Sequence, residues 1–403
     1  MMHRSNLFLA TFSATAILAG CTIESATPSD TTRVGAGGSD SGTSSSSAGG
    51  ESVGQGGGDG GGTTTPPASQ GWVFTMSNDE AGNELIIYER EDDGGLLEVA
   101  SLPTGGLGSS NGLGSQGAIT ISPSGEYLYL VNAGSDQISS FRIHDDHLAL
   151  VDLISSGGER PISVTASDDR LFVVNATSGG VAGYTVTDGL LTERDNQPLS
   201  GDGVGPGQIG LHPDGNAVIV TEKATNNLLT YWVAPDGTMS APDITASEGA
   251  TPFGFDFTSD GFLLVSEAFM GNDGESAASS YRLGSVEPMV VSASVPSGQS
   301  AACWLVVAGN HAYTTNTASD TISGYTVDDQ GQLALFDDGG VTADLNAEQG
   351  PIDAAVSTDE QYLYVLNAQA DTVIGFAVAG DGSLQRLPGV QTVPPNSVGL
   401  AAR

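Results

Sequence analysis

The chain repeats one short sequence pattern seven times, and this repetition restricts its fold more than any other feature. In each copy an apolar segment ends in an asparagine or a glutamate, and successive copies are 54, 43, 47, 45, 49 and 51 residues apart. The residues that end these segments are Asn78, Asn132, Asn175, Glu222, Glu267, Asn316 and Asn367. Repeats of this length form architectures in which each unit is stabilised by its neighbours.

Each repeat has the signals of four short strands. In the second repeat a polar turn at residues 122–125 precedes a strongly apolar segment at 127–131, and an alternating segment at 137–143 follows. A turn with glycine or aspartate then leads into a weaker fourth strand. Four strands in about 45 to 50 residues make one propeller blade. We therefore predict an all-β fold, a seven-bladed β-propeller with four-stranded blades.

The two ends of the repeat region predict how the ring closes. The first repeat begins near Trp72 directly with its second strand, whereas residues 397–402 have the pattern of a first strand with no blade after it. We expect this C-terminal strand to complete blade one, because that arrangement removes free sheet edges. The propeller domain is accordingly assigned to residues 71–403.

The first 20 residues have the pattern of a lipoprotein signal peptide. Arg4 precedes an apolar run at 7–19 that is too short to span a bilayer as a mature helix. The sequence Leu18-Ala19-Gly20-Cys21 resembles the bacterial lipobox, in which the cysteine is lipidated and becomes the first residue. Residues 21–70 would then be a lipidated Cys21 followed by a flexible tether, since they are dominated by Gly, Ser and Thr.

These signals predict a cell-envelope protein that contacts the membrane only through its lipid anchor. Thr22 rather than aspartate follows the lipobox cysteine, which favours the outer membrane.

Cys303 lies in an apolar segment and is expected to be a small buried side chain, with no disulfide partner if Cys21 carries lipid.

The charge balance excludes one class of partner. The chain has 48 acidic and 11 basic residues, a formal net charge of −37, and Lys223 is its only lysine. Nucleic acid binding depends on lysine and arginine to neutralise phosphates, so we expect no nucleic acid partner. The same negative field disfavours strongly phosphorylated substrates. We expect a monomer.

Residues 117–132, with a short strand, the turn Ser122-Pro123-Ser124-Gly125 and a second apolar strand, closely resemble the repeats of lactonase-type seven-bladed propellers. That family includes 6-phosphogluconolactonase-like proteins and carboxymuconate cyclases. In its catalytic members one first strand carries Gly-Pro-Arg-His and the next strand ends in glutamate. The matching stretch here is Gly205-Pro206-Gly207-Gln208, with Glu222 at the strand end. The resemblance thus implies a retained glutamate and the loss of the arginine and the histidine.

Blade connectivity assigns residues to faces. We call "top" the face with the loops between second and third strands and the loops that enter each first strand. His144, His147, His212 and His311 fall on the opposite, bottom face, so a top-face general base would have to be a carboxylate. Glu222 and Glu267 are the candidate catalytic residues. The candidate binding residues on the top face are Arg160, Gln208, Lys223, Asn132, Asn175, Asn316 and Asn367.

Two hypotheses for function follow, besides a purely structural role in the envelope. The first is a module that binds a small molecule or a protein on its top face, with a degenerate lactonase site. The second is a lactone hydrolase or cycloisomerase that uses Glu222 and Glu267, which would then have to converge. We expect no cofactor and no metal site, because His144 and His147 lack a third ligand nearby.

Overall fold

The computed structural model describes residues 71–284, 287–346 and 349–403. In these ranges the chain forms seven antiparallel β-sheets of four or five strands, one for each sequence repeat. The predicted all-β, seven-bladed propeller is therefore confirmed. The predicted signal peptide, the lipidated Cys21 and the tether lie outside the described residues.

The first four blades each contain four strands, named in order from the inner to the outer edge. Blade one comprises β30 (Val398–Ala402), β1 (Trp72–Met76), β2 (Glu84–Arg90) and β3 (Leu96–Pro103). Blade two comprises β4 (Ile119–Ile121), β5 (Tyr127–Asn132), β6 (Gln137–Ile143) and β7 (Leu148–Ser155). Blade three comprises β8 (Glu159–Ala166), β9 (Arg170–Ser178), β10 (Val181–Thr187) and β11 (Leu190–Gln197). Blade four comprises β12 (Pro206–Leu211), β13 (Ala217–Glu222), β14 (Asn227–Trp232) and β15 (Asp243–Ala246).

The last three blades follow the same order, and two of them have an extra short strand at the outer edge. Blade five comprises β16 (Pro252–Phe257), β17 (Phe262–Glu267), β18 (Ala277–Leu283) and β19 (Pro288–Pro296). Blade six comprises β20 (Ala302–Ala308), β21 (His311–Asn316), β22 (Thr321–Val327), β23 (Leu333–Leu335) and β24 (Ala343–Asp344). Blade seven comprises β25 (Pro351–Val356), β26 (Tyr362–Asn367), β27 (Thr372–Val378), β28 (Leu384–Arg386) and β29 (Gln391–Thr392).

Helical structure is almost absent from the described part of the chain. One 3-10 turn, Phe269–Gly271, follows β17. No helix in the described ranges is long and apolar enough to cross a membrane.

The hydrophobic core lies between neighbouring blades. Every residue of β5, β13 and β17 is buried, which includes the side chains on both faces of each strand. A strand presents alternate side chains to opposite faces, so burial on both faces means that a blade packs on each side. Each fully buried aliphatic or aromatic side chain contributes roughly 1.5–3 kcal/mol. This explains why the second strand of each repeat is apolar throughout.

The C-terminal strand closes the ring, as the sequence predicts. β30 pairs antiparallel with β1, and Phe74 lies opposite Ala401 in the register. At the bottom end of this pair the Arg403 amide donates to the Trp72 carbonyl at 2.7 Å, and the Trp72 amide donates back at 3.2 Å. Residues from the two ends of the domain thus form one sheet.

The inner strands are tied to one another by side-chain acceptors. An inner strand leaves backbone N–H groups that its own sheet cannot pair, and an unpaired buried N–H is costly. In four blades a side chain of one inner strand accepts an N–H of the next blade. The pairs are Ser163 with Ile209 (3.1 Å), Gln208 with Phe255 (2.6 Å), Asp256 with Val307 (2.9 Å), and Asp353 with Leu400.

Candidate functional site

The two candidate catalytic residues end second strands at the top face, as expected, but their side chains are fully buried. We consider three cavities formed by the described residues, two along the channel and one between blades three and four, and neither carboxylate lines any of these three. The two side chains also share no hydrogen-bond partner, because each bonds to loops of its own blade region. The contacts of Glu222 and Glu267 therefore do not bring the two carboxylates together, as a two-carboxylate mechanism would require.

Glu222 is bonded to the connection between blades three and four. Its Oε1 accepts the Ser200 amide at 2.9 Å, and its Oε2 accepts the hydroxyls of Ser200 at 2.5 Å and Thr225 at 2.7 Å. Three donors satisfy most of the accepting capacity of a carboxylate. Glu222 is thus placed to fix residues 198–204 rather than to abstract a proton in an open funnel.

Glu267 has an equivalent cage in blade five. Oε1 accepts the Gly249 amide at 2.8 Å and the Ser279 hydroxyl at 2.5 Å, and Oε2 accepts the Ser294 hydroxyl at 2.7 Å. A Cβ on residue 249 would lie 2.1 Å from Oε2, so only glycine allows this approach. Burial raises the pKa of Glu267 above its usual value, and these hydrogen bonds oppose the rise.

The four candidate asparagines are also buried; three end their strands, and Asn175 lies three residues before the end of β9. Asn132 Oδ1 accepts the Thr104 hydroxyl at 2.7 Å and an amide hydrogen of Asn83 at 3.0 Å. Nδ2 of Asn316 and of Asn367 donates within its own blade, and Nδ2 of Asn175 donates to the loop that enters blade three. In these three residues Oδ1 is buried with no partner among the described residues. Of the four, only Asn175 lines one of the three cavities.

Arg160 lies at the start of the first strand of blade three, with its backbone in the left-handed region at φ 58°. Its amide donates to Asp136 at 2.7 Å, and its side chain lines none of the three cavities. Gln208 lies on β12, where its Oε1 accepts the Phe255 amide. Gln208 therefore ties blade four to blade five.

Lys223 lies in the middle of the top face and is buried. Its Nζ donates to the Gly114 carbonyl and lies 4.6 Å from the centre of the Phe253 ring. These contacts join blade four, blade five and the loop that enters blade two. The ammonium group of Lys223 is thus in contact with protein atoms.

The loop that enters blade two crosses the top of the central channel. The Gln116 side chain bonds both polar groups of Leu305 in blade six, with Nε2 donating at 2.7 Å and Oε1 accepting at 2.9 Å. The Gln116 amide donates to the Gly207 carbonyl in blade four at 3.0 Å. Trp304 Nε1 donates to the Ser115 carbonyl at 3.0 Å. We call residues 114–117 the plug.

The plug covers the position at which the lactonase motif would act. A Cβ on residue 207 would lie 2.8 Å from both the Phe253 carbonyl oxygen and the Thr221 hydroxyl, so a larger side chain there requires a rearrangement. On blade five, a Cβ on residue 254 would lie 2.1 Å from Gln116 Oε1. Gly254 therefore leaves the space that Gln116 of the plug fills, whereas Gly207 is confined by Phe253 and Thr221.

Above the plug lies a cavity of about 250 Å³, which we call the top pocket. Leu113, Trp304, Ile352 and Val398 supply its apolar lining. Polar groups come from residues of blades six, seven and one and from the plug. These are Ser115, Thr317, Gln369, Asp371, Asn396 and Ser397. No lysine or arginine lines this pocket.

Below the plug the channel contains a second cavity of about 510 Å³. Gln116 lines this lower cavity whereas Ser115 lines the top pocket, so the plug is the boundary between them. Asp353 faces the lower cavity and is buried. Burial raises the pKa of the Asp353 carboxyl well above its usual value, and the amides of Ala354 and Leu400 oppose the rise.

The described residues contain no group of three or more His, Cys, Asp or Glu side chains that could bind a metal ion. The rings of His144 and His147 stack 4.4 Å apart in their hairpin, and His147 Nδ1 bonds Asp146 at 2.7 Å. Cys303 is fully buried, as expected. The other cysteine, Cys21, lies outside the described residues.

The sequence pattern did not predict the plug. Gln116 and Trp304 lie far apart in the sequence, and neither interrupts the strand pattern. Two glycines in first strands, Gly207 and Gly254, were the sequence feature that could have indicated it. Glycine inside a strand indicates that another part of the chain approaches closely.

The family model described as "Lactonase, 7-bladed beta-propeller" matches residues 74–205 and 195–300, together more than half of the chain. Comparison with curated protein sequences gives no match.

Solved structures of several bacterial propellers are similar to this fold. A periplasmic gluconolactonase from Pseudomonas aeruginosa has 17% identity and a TM-score of 0.64, and the match covers 82% of this chain and 98% of that one. A candidate 6-phosphogluconolactonase from Bacteroides fragilis has 16% identity, a TM-score of 0.65 and coverage of 85% and 100%. A protein from Lactobacillus plantarum has 18% identity, a TM-score of 0.66 and coverage of 83% and 99%.

The fold and the site define a seven-bladed propeller whose axial entrance is filled by its own chain. The protein belongs to the lactonase seven-bladed β-propeller family. At these levels of identity, the similar structures establish the fold alone.

Proposed function

We propose that this protein is a lipid-anchored envelope propeller that binds a small uncharged ligand in its top pocket and has a degenerate lactonase site. The observation that carries the proposal is the plug. Gln116 is bonded to Leu305 across the channel and to Gly207, and these bonds fill the space beside the motif position. A substrate entering from the top face could reach that position only after the plug moved, although Gln208 also lines the lower cavity.

The state of the catalytic groups supports the same conclusion. Lactone hydrolysis requires a group that stabilises the developing oxyanion and a group that transfers a proton. Gly207 and Gln208 supply neither a cation nor a titratable side chain. Glu222, the retained acid, accepts three hydrogen bonds from its own loops.

The lining of the top pocket indicates the kind of ligand. Specific sites combine an apolar lining with a few placed polar groups, and this pocket has both. Within the described part of the chain, Asp371 is the one charged side chain that lines this pocket, so an anionic ligand would meet a carboxylate there and no cation. A volume of about 250 Å³ suits a single small ring.

The lipid anchor is part of the proposal and is supported by the sequence from Leu18 to Cys21. Thr22 favours the outer membrane as the destination. The large excess of acidic residues, with a net charge of −37, supports the absence of nucleic acid from its partners.

Turnover of a lactone panel tests the proposal. We expect 6-phosphogluconolactone and unphosphorylated sugar lactones to be hydrolysed by the purified chain at the background rate, and Glu222→Gln to leave that rate unchanged. Glu91→Gln, a change of an exposed turn residue, is the matched control, and circular dichroism verifies folding of each variant.

The lactonase alternative is favoured by the family membership and the retained Glu222. Hydrolysis well above background that Glu222→Gln removes and Glu91→Gln preserves would establish that alternative and overturn our proposal.

A further inference from the structure

A third cavity lies away from the channel, on the top face between blades three and four. Its volume is about 370 Å³, and we call it the notch. One side is the hairpin that joins β9 to β10, and the other is the connection from β11 to β12. The lining includes Asn175, Thr177, Ser178, Gln197, Leu199 and Asp202. The notch and the top pocket share no lining residue.

Several polar groups in the notch have unused hydrogen-bonding capacity. The hydroxyls of Thr177 and Ser178 and the carboxylate of Asp202 make no side-chain hydrogen bond within the described residues. Gln197 donates through Nε2 to the Met239 carbonyl at 3.1 Å, which leaves its Oε1 as an acceptor. Asn175 also lines the notch, but its Oδ1 is buried and its Nδ2 donates to the Ser156 and Gly180 carbonyls. A cluster of hydroxyl, amide and carboxylate groups is suited to a ligand with several hydroxyls.

The outer wall of the notch is fixed before any ligand binds. Glu222 accepts both the amide and the hydroxyl of Ser200, and the Tyr231 hydroxyl donates to the Pro198 carbonyl at 2.9 Å. Both anchors belong to blade four, which packs behind this connection. A wall that is already ordered reduces the entropy that a ligand must overcome on binding.

The charge and the apolar groups of the notch narrow the ligand class further. Among the described residues that line it, none is lysine or arginine and Asp202 alone carries a charge, so anions are disfavoured. Pro198, Leu199 and Val204 provide an apolar patch beside the polar groups. A sugar ring has an apolar C–H face and a polar rim, which matches this arrangement.

We propose that the notch is a second binding site, for a neutral polyhydroxylated ring such as an uncharged monosaccharide. The site is independent of the function proposed for the top pocket. In this role Glu222 is a positioning residue that fixes the wall of the notch.

Ligand-observed NMR on the full chain tests this site, with glucose, galactose and N-acetylglucosamine as probes. We expect saturation transfer to at least one of them, with a Kd of about 1 mM as is usual for a small polar ligand in an open site. Glucuronate, which carries a carboxylate, should bind at least tenfold more weakly than the neutral sugar. Absence of transfer to all three neutral probes overturns the proposal.

Gly201→Trp is the decisive variant, because it places a large side chain in the notch. An added Cβ there meets only Val204 Cγ1 at 3.8 Å, and the backbone is not left-handed, so the fold should tolerate the change. We expect binding to fall at least tenfold. Gly339→Trp is the matched control, since this exposed loop glycine in blade six also has space for a Cβ. Sugar binding that survives Gly201→Trp unchanged would place the site elsewhere.

A second variant with a smaller change tests the site even if the tryptophan variant does not fold. Asp202→Ala removes one acceptor from an exposed loop, and we expect it to weaken binding about fivefold while the melting temperature stays constant. Equal binding by this variant and the original chain contradicts the proposed role of the notch. We expect neither variant to change the lactone turnover. The proposal for the notch and the proposed function can therefore be refuted independently of each other.

Discussion

A carboxylate buried inside a blade must be compensated by hydrogen-bond donors, since an uncompensated buried charge is costly. Glu222 and Glu267 meet this requirement in the same way, each with one backbone amide and two hydroxyls. The hydroxyls come from loops for Glu222 and from strands β18 and β19 for Glu267. The asparagines at equivalent positions bond to similar groups. The strand-end residues of all these blades are therefore equivalent in placement, although their chemistry differs.

Asp353 gives a prediction at the same scale. Its pKa is raised by burial, so the folded protein binds more protons than the unfolded chain between about pH 4 and that raised value. Its contribution to stability is therefore largest below pH 4 and decreases as the pH rises through this window. A tenfold difference in the acid dissociation constant between the two states corresponds to about 1.4 kcal/mol. We expect Asp353→Asn to remove this pH dependence, measured as the free energy of unfolding in urea from pH 4 to 8.

The matched control is Asp329→Asn, at an exposed turn of blade six. Its unfolding profile should follow that of the original chain. The explanation for Asp353 is wrong if the Asp353→Asn variant and the original chain lose stability in parallel between pH 4 and pH 7.

The sequence could place Glu222, Glu267 and the asparagines at strand ends on the top face, because the repeat fixes the register. It could not show that their side chains are buried. The direction of a side chain at a strand end depends on which loop packs over it, and those loops have no common pattern. Ser200, which bonds to Glu222, comes from the connection between blades three and four, and Ser294, which bonds to Glu267, comes from strand β19. No repeat motif marks either serine.

The sequence repeat predicts the secondary-structure elements better than it predicts the direction of individual side chains. Strand period and turn chemistry predicted four strands per blade and the use of the C-terminal strand in blade one. The extra strands β24 and β29 were not predicted, because each is only two residues long. The plug could not be predicted either, since it depends on contacts between residues such as Gln116 and Leu305, 189 positions apart.

Ring closure gives a prediction for the element β30. Deleting residues after Pro395 removes its pairing with β1 and the buried side chains of Val398 and Leu400. It also exposes β1 as a free edge. We expect a loss of several kcal/mol and a fall in the melting temperature of roughly 10 °C or more, or failure to fold. An unchanged melting temperature in differential scanning calorimetry would contradict closure by this strand.

In the whole molecule, the segment predicted to attach the protein to the membrane and the domain that carries the cavities are different parts of the chain. The described residues form one ring of blades, and the residues before Gly71 have the composition of a leader and a tether. Lipidation of Cys21 is therefore a prediction about the whole molecule. It would make membrane association independent of every site on the propeller.

Expression of the full chain in a bacterium tests this point. We expect the mature protein to partition into the detergent phase of a Triton X-114 extraction, and Cys21→Ala to move it to the aqueous phase. The mass of the N-terminal peptide should show acyl chains on Cys21. A peptide in which Cys21 is cross-linked through a disulfide instead of acylated would refute the lipid anchor, because one sulfur cannot do both.

The pairing of β1 with β30 has a further consequence for how the protein is displayed. Trp72 and Arg403 meet at the bottom face, so whatever precedes Gly71 joins the domain on the side opposite the top pocket and the notch. A lipid-tethered molecule would then offer its two pockets to the surroundings and its histidine-bearing hairpins to the side of its own attachment.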